Sequence, residues 1–222
     1  MALGGTTGAE EPLSGGPART DPHQTAYLIR HADVFNPDKV VYGHLPGFHL
    51  SPRGVEQARR LADQLADAGI EVIVHSPLQR AEETARILAA RWAGSRVYQD
   101  PRLTEAEFGR YLQGVGYPQV PFRRPLWLIH WVRRGLLAND ESVSTMAARV
   151  TEAILDAVRQ AQGRRVAFVS HADPIQAVWT RLLANPDHRM NRLVCDRTGY
   201  LVLDVSSDQL KLVRYVAPAP GG

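Results

Sequence analysis

The 222-residue sequence predicts an α/β fold, a three-layer α/β/α sandwich around a mostly parallel central sheet. Three features point to it. Short apolar runs at residues 26–29, 72–74 and 166–169 suit buried strands. Helical apolar spacing follows each strand before the next begins, the alternation that builds a sheet covered on both faces. Polar residues (Arg30, His31, Ser76, His171) stand just past the strand ends, where open α/β sheets bind ligands.

In chain order, residues 1–22 are rich in Gly, Pro, Thr and Glu with almost no large apolar side chain. Such a segment buries too little surface to offset its ordering entropy and is expected to be a disordered tail. The folded domain then covers 23–222. The first strand delivers Arg30 and His31. After an irregular Gly/Pro stretch, Ser51-Pro52 supplies an N-cap and a first-turn proline. Val55, Ala58, Leu61, Ala62 and Leu65 mark the apolar face of that helix, and Gly69 closes it. The second strand ends at His75-Ser76-Pro77, with a helix expected over 77–92. Met146, Val150, Ile154 and Val158 predict a helix over 143–161, stopped at Gly163. The third strand leads to Ser170-His171, and Pro174 opens a helix to about residue 184. Strands near 200–205 and 210–215 flank Ser206-Ser207-Asp208, a hairpin turn.

Composition narrows the function. Apolar residues make up 44% and charged residues 22%, so this is an ordinary soluble globular chain. No apolar run is long enough for a membrane span, no secretory signal is apparent, and a cytoplasmic location is expected. Of the 26 basic residues 24 are arginine, but a scattered net charge of +3 gives no case for nucleic acid. Cys195 is the lone cysteine; without a glycine-rich anion loop after it, it reads as a structural thiol. The other histidines (23, 44, 49, 75, 130, 188) lack zinc-type spacing, so neither a metal nor a cofactor is expected.

Arg30-His31 alone is uninformative, since about one Arg-His pair is expected by chance at this composition. Specificity lies in four ordered segments: Leu28-Ile29-Arg30-His31-Ala32; Ser76-Pro77-Leu78-Gln79-Arg80-Ala81-Glu82-Glu83-Thr84-Ala85; Leu103-Thr104-Glu105-Ala106-Glu107-Phe108-Gly109; and Val169-Ser170-His171-Ala172. Leu50-Ser51-Pro52-Arg53-Gly54 and Gln57-Ala58 add a fifth match. On these segments the chain resembles the histidine phosphatase (phosphoglycerate mutase-like) superfamily over roughly residues 25–216, and its phosphatase branch best.

The resemblance implies a metal-independent phosphatase that hydrolyses phosphate monoesters through a phosphohistidine. His31 would be the nucleophile, one ring nitrogen attacking phosphorus while the other is held by a backbone carbonyl. Arg30, Arg80 and His171 would hold the phosphoryl oxygens. Glu105, selected over Glu107 by the register of its segment, would protonate the leaving oxygen and then activate water. Asn36, Gly43 and His44 are candidate substrate contacts. The sequence departs from the family at Ala32 and Ala172, where glycine follows each histidine. A methyl is harmless there if φ is negative and costs about 1 kcal/mol or more if φ is positive.

Residues 110–141 would form a lid that decides the substrate. They carry Tyr111, Tyr117, Trp127, Trp131 and the pairs Arg123-Arg124 and Arg133-Arg134. Aromatics and arginines suit a planar or apolar substrate body with an extra anion. Equally, Leu126, Trp127, His130 and Leu137 read as a helix packing face with the arginines in solvent. Two other functions stay open: a phosphoglycerate mutase-type phosphotransferase, for which Arg123-Arg124 is the argument, and a non-catalytic phospho-ligand-binding protein. The expected partner is a small phosphorylated substrate, and a homodimer is compatible with the sequence.

Overall fold

The apolar runs of the sequence become strands of one six-stranded sheet. The computed structural model describes residues 23–107, 109–127, 141–183, 195–206 and 208–219. The strands are β1 (Gln24–Arg30), β2 (Ile70–His75), β3 (Arg96–Gln99), β4 (Arg165–Ser170), β5 (Tyr200–Val205) and β6 (Leu210–Val216). They lie in the order β3-β2-β4-β1-β5-β6. The four strands from β3 to β1 run parallel, and β5 and β6 close the other side antiparallel. The mostly parallel sheet is thus present, with one strand the sequence reading missed. β3 is an edge strand with most of Arg96–Gln99 exposed, so it shows none of the apolar run that marks a buried strand.

Four long helices complete the sandwich: α1 (Pro52–Gln64), α2 (Gln79–Ala89), α3 (Val143–Ala161) and α4 (Ala172–Leu182). Successive strand residues point to opposite faces. Ile29, Ile73, Ala167 and Val169 meet Leu61, Ala81, Ala85 and Leu88 of α1 and α2. Their neighbours Leu28, Val74 and Phe168 meet Val150, Ile154, Ile175 and Val178 of α3 and α4. Both faces are covered, which is why these strands read as continuous apolar runs rather than alternating ones. Each large buried side chain contributes roughly 1.5–3 kcal/mol.

Helix ends differ from expectation by a few residues. α2 starts at Gln79 because Leu78 is still extended. α4 starts at Ala172, with Pro174 accommodated in the first turn, where its missing N–H is not needed. The tail at 1–22 and Trp131, Arg133, Arg134, His130 and Leu137 lie outside the described residues.

The loop after β1 and the segment at 109–127 are joined. Val40 bridges Gly116, Val41 N–H donates to the Val115 carbonyl at 2.9 Å, and Tyr117 N–H to the Lys39 carbonyl at 2.9 Å. Beneath this ribbon Leu112, Val115 and Val120 pack with Val41, Tyr111 and Trp127. Trp127 therefore packs as a core-facing residue, whereas Leu126 and Phe122 are exposed.

Candidate active site

The parallel strands deliver their polar ends to one place. β1 presents Arg30 and His31, β2 leads through Ser76 to Arg80 at the start of α2, and β4 leads to His171, the N-cap of α4. His31 and His171 lie edge to face, ring centroids 5.0 Å apart. Both rings are buried, as is Arg80, the largest fully buried side chain among the described residues.

His31 is fixed by its own backbone. Its Nδ1 lies 2.7 Å from the Ala32 carbonyl; a carbonyl only accepts, so Nδ1 carries the proton. Nε2 is then the lone-pair nitrogen, facing the Nε–H of Arg80 at 3.2 Å. Ala32 N–H in turn donates to Thr84 Oγ1 at 3.2 Å, and Thr84 donates to the Arg80 carbonyl at 2.7 Å. One threonine of α2 thus ties the histidine loop to the arginine turn. Burial, then the charges of Arg80 and Arg30, hold the His31 pKa well below the usual imidazole value, leaving the ring neutral. His171 is depressed likewise, by burial first and Arg80 second. Its Nε2 is 2.7 Å from Ser76 Oγ, and its buried Nδ1 has no protein partner among the described residues.

The arginines are held differently. Arg80 donates to the Gly43 carbonyl at 2.9 Å and lies 4.8 Å from the centroid of the Tyr42 ring, which stacks on Phe48. Arg30 donates to the Cys195 carbonyl at 2.6 Å, while its buried Nε has no protein partner among the described residues. Cys195 is buried and its thiol is pushed up to about 12 by desolvation, in keeping with a structural role.

Glu105 follows the turn at Pro101–Leu103, which Asp100 caps. It is buried, and its Oε1 accepts from Ala106 N–H at 2.9 Å. Burial, and then the negative charge of Asp173, push it up to about 7 against the opposing pull of Arg80. Its carboxyl therefore keeps its proton well above the pH at which a solvated carboxyl loses it. His44 lies beside it, Nε2 2.8 Å from the Glu105 carbonyl and Nδ1 3.5 Å from Glu107. A cavity of about 440 Å³ lined by His44, Thr104, Glu105, Glu107, Glu141 and Arg149 opens next to this carboxyl.

Arg30, His31, Arg80, Glu105 and His171 thus converge. Gly43 contributes its carbonyl to Arg80, and its φ of +44° suits glycine. Asn36 is spent on its own loop, exchanging two hydrogen bonds with Val40 at 2.9 and 3.1 Å. Arg124 is engaged with the Tyr111 carbonyl and ring, and Arg123 is exposed. Neither Ala32 nor Ala172 has positive φ, so both methyls are tolerated without strain. Two further groups escaped the sequence reading. Tyr42 supports Arg80, and Asp173, in the first turn of α4, faces Glu105 electrostatically. Only the position of Asp173 two residues after His171 signalled it.

Among the described residues no cluster of His, Cys, Asp or Glu is arranged to hold a metal ion, and no helix is long and apolar enough to cross a membrane.

Comparison with known proteins identifies the family. The family model for the histidine phosphatase superfamily (branch 1) matches residues 26–218. An uncharacterized protein of Mycobacterium tuberculosis is 37% identical over 208 residues, 89% of this chain and 98% of its own length. The probable phosphoglycerate mutase GpmB of an Enterobacter species is 29% identical over 172 residues, 75% of this chain and 78% of that protein. The structure of a mycobacterial glucosyl-3-phosphoglycerate phosphatase superposes with a TM-score of 0.74 at 26% identity, covering 88% of this chain and 99% of the other. Sheet order, site and family match together place this chain in the histidine phosphatase superfamily, branch 1, with the phosphoglycerate mutase-like fold.

Proposed function

We propose that the protein is a metal-independent phosphatase that hydrolyses small phosphate monoesters through a phosphohistidine on His31. One observation carries the reading: the His31 ring spends Nδ1–H on the Ala32 carbonyl and turns a bare, uncharged Nε2 toward Arg80. Nε2 attacks phosphorus, the bond to the leaving oxygen breaks, and Glu105 gives that oxygen its proton. The positive charge left on the imidazole is stabilised by the Nδ1–H to carbonyl bond. Glu105, now a carboxylate, takes a proton from water as the water oxygen attacks phosphorus. The P–N bond breaks, phosphate leaves, and neutral His31 and protonated Glu105 are restored. Arg30, Arg80 and His171 supply donors to the phosphoryl oxygens, aided by the N-terminus of α4.

The described part of the 110–141 segment, residues 110–127, serves as a lid in this reading, with Gly43 and His44 at the pocket mouth and Asn36 bracing the loop that carries them. Residues 23–222 act as one domain in this reading. The lone buried Cys195 fits a reducing, cytoplasmic setting.

The GpmB relatives, named as probable phosphoglycerate mutases, favour a second reading, phosphoryl transfer back to substrate. It is less well supported, because Arg124 is engaged with Tyr111 rather than available to a second anion. The test is hydrolysis of p-nitrophenyl phosphate by wild type and His31→Ala, with and without chelator. We expect turnover insensitive to chelator and abolished in the variant, with an acid-labile phosphoryl label on wild type alone. Equal hydrolysis by both proteins would refute the nucleophile. Isomerisation of phosphoglycerate in the presence of bisphosphoglycerate would support the mutase, and phosphate binding without turnover of any ester a binding protein.

A further inference from the structure

The turn before β5 carries an arginine that none of the four motifs contains. Residues 196–199 are docked on the nucleophile strand: Thr198 N–H donates to the Arg30 carbonyl at 3.1 Å and Arg30 N–H to the Gly199 carbonyl at 3.0 Å. The turn has little freedom. Thr198 sits at φ +63° and is buried, and a Cβ on Gly199 would lie 2.4 Å from Tyr215 Oη. From it Arg197 reaches back and pairs with Asp33, two residues past His31. Asp33 is anchored too: it accepts from Ser51 Oγ at 2.5 Å, and its N–H donates to Gln57 at 2.9 Å.

We propose that Arg197 is a further anion-binding residue of the phosphate site, a third arginine that Asp33 holds beside His31 and Arg30 and that turns to the phosphate of the substrate. The proposal rests on the reading that Arg30, Arg80 and His171 surround that phosphate. Two observations and one electrostatic argument support it beyond the docking of the turn. The positive charge of Arg197 is felt at His31, and that of Arg30 at Arg197, so the cations share one field. The Arg197 side chain keeps 40% of its surface exposed while Asp33 keeps 14%, so a ligand can reach the cation while the carboxylate stays fixed. Two like charges brought together this way repel unless an anion joins them, and a phosphate monoester dianion is the anion this site is read to take. Asp33 compensates one charge in the free protein and competes with phosphate for it.

The competition gives a test that a structural ion pair would fail. The dissociation constant of inorganic phosphate would be measured calorimetrically for wild type, Arg197→Met, Arg197→Lys, Asp33→Asn and Arg80→Met. Losing a charged donor at a half-exposed position weakens binding by about five- to tenfold, the result expected for Arg197→Met, with Arg197→Lys intermediate. Asp33→Asn keeps the Ser51 hydrogen bond but frees the guanidinium, so phosphate should bind more tightly. If Arg197 served only its pair with Asp33, the two substitutions would lower thermal stability alike and leave phosphate affinity within twofold of wild type. That result, or a shift of the same sign in both, overturns the proposal. If Arg80→Met also left phosphate affinity unchanged, the reading of the whole phosphate site would fall, and this inference with it.

Discussion

At the scale of the residue, the site is a set of ordinary side chains in extraordinary surroundings. Glu105 illustrates it: burial and Asp173 keep its proton up to about pH 7, where a solvated carboxyl would have lost it. In the proposed mechanism such a group is the general acid, so kcat/KM should fall as pH rises through about 7. Glu105→Gln keeps the shape and removes the proton. Turnover of an alkyl phosphate should then drop by about a hundred- to ten-thousandfold, the usual range for general acid–base help. The kcat/KM of p-nitrophenyl phosphate, which covers only the step up to the phosphohistidine, should lose much less, because its phenolate departs without a proton. Values of kcat/KM on both esters check this, and equal losses would deny Glu105 the acid role. The residues of this site were legible because they stand in four segments of fixed order; Arg30-His31 by itself said nothing. Tyr42 and Arg197 were not legible. Each acts through a fold contact, one with Arg80 and one with Asp33, and no local pattern announces a contact between distant loops.

At the scale of the element, the buried strands and long helices could be read because burial on both faces imposes apolar runs and helical spacing. β3 could not, since an exposed edge strand carries no such demand. Helix α1 shows how an element sets the site. Ser51 caps it, accepting from Gly54 N–H at 3.0 Å while donating to Asp33, and Gly54 lies against the loop that follows His31. A Cβ on Gly54 would fall 2.0 Å from the Asp33 carbonyl oxygen and 3.0 Å from its nitrogen, a clash with backbone that no rotamer relieves. Gly54→Ala should therefore cost about 1–3 kcal/mol of stability and lower kcat as well, by displacing the loop two residues from His31, the proposed nucleophile. Ser51→Ala removes a cap worth about 1 kcal/mol without pushing that loop. Thermal unfolding and kcat measured on both would show the difference. A Gly54→Ala protein of wild-type activity would mean that α1 does not position His31.

At the scale of the whole molecule, the buried site makes the fold itself respond to pH. His31 and His171 are held neutral, their pKa values depressed well below 6.5, while an unfolded chain protonates both near 6.5. Acidification below that value favours the unfolded state, which takes up two protons the fold refuses. Glu105 acts in the opposite sense. The fold keeps its proton up to about 7, whereas the unfolded chain releases it near 4.5, so its contribution is complete below about 4.5 and lost as pH rises to 7. Between those limits the two histidines work against the fold and Glu105 works for it. Wild type should therefore lose stability on acidification below about 6.5, where the two histidines outnumber the one carboxyl. Glu105→Gln removes the opposing group, and the slope should steepen. Urea unfolding at pH 5.0, 5.5, 6.0 and 7.5 on both proteins measures the difference directly, with contributions from other groups cancelling. Parallel stability curves would show that Glu105 carries no extra proton in the fold, and would remove the physical basis for its role as the acid.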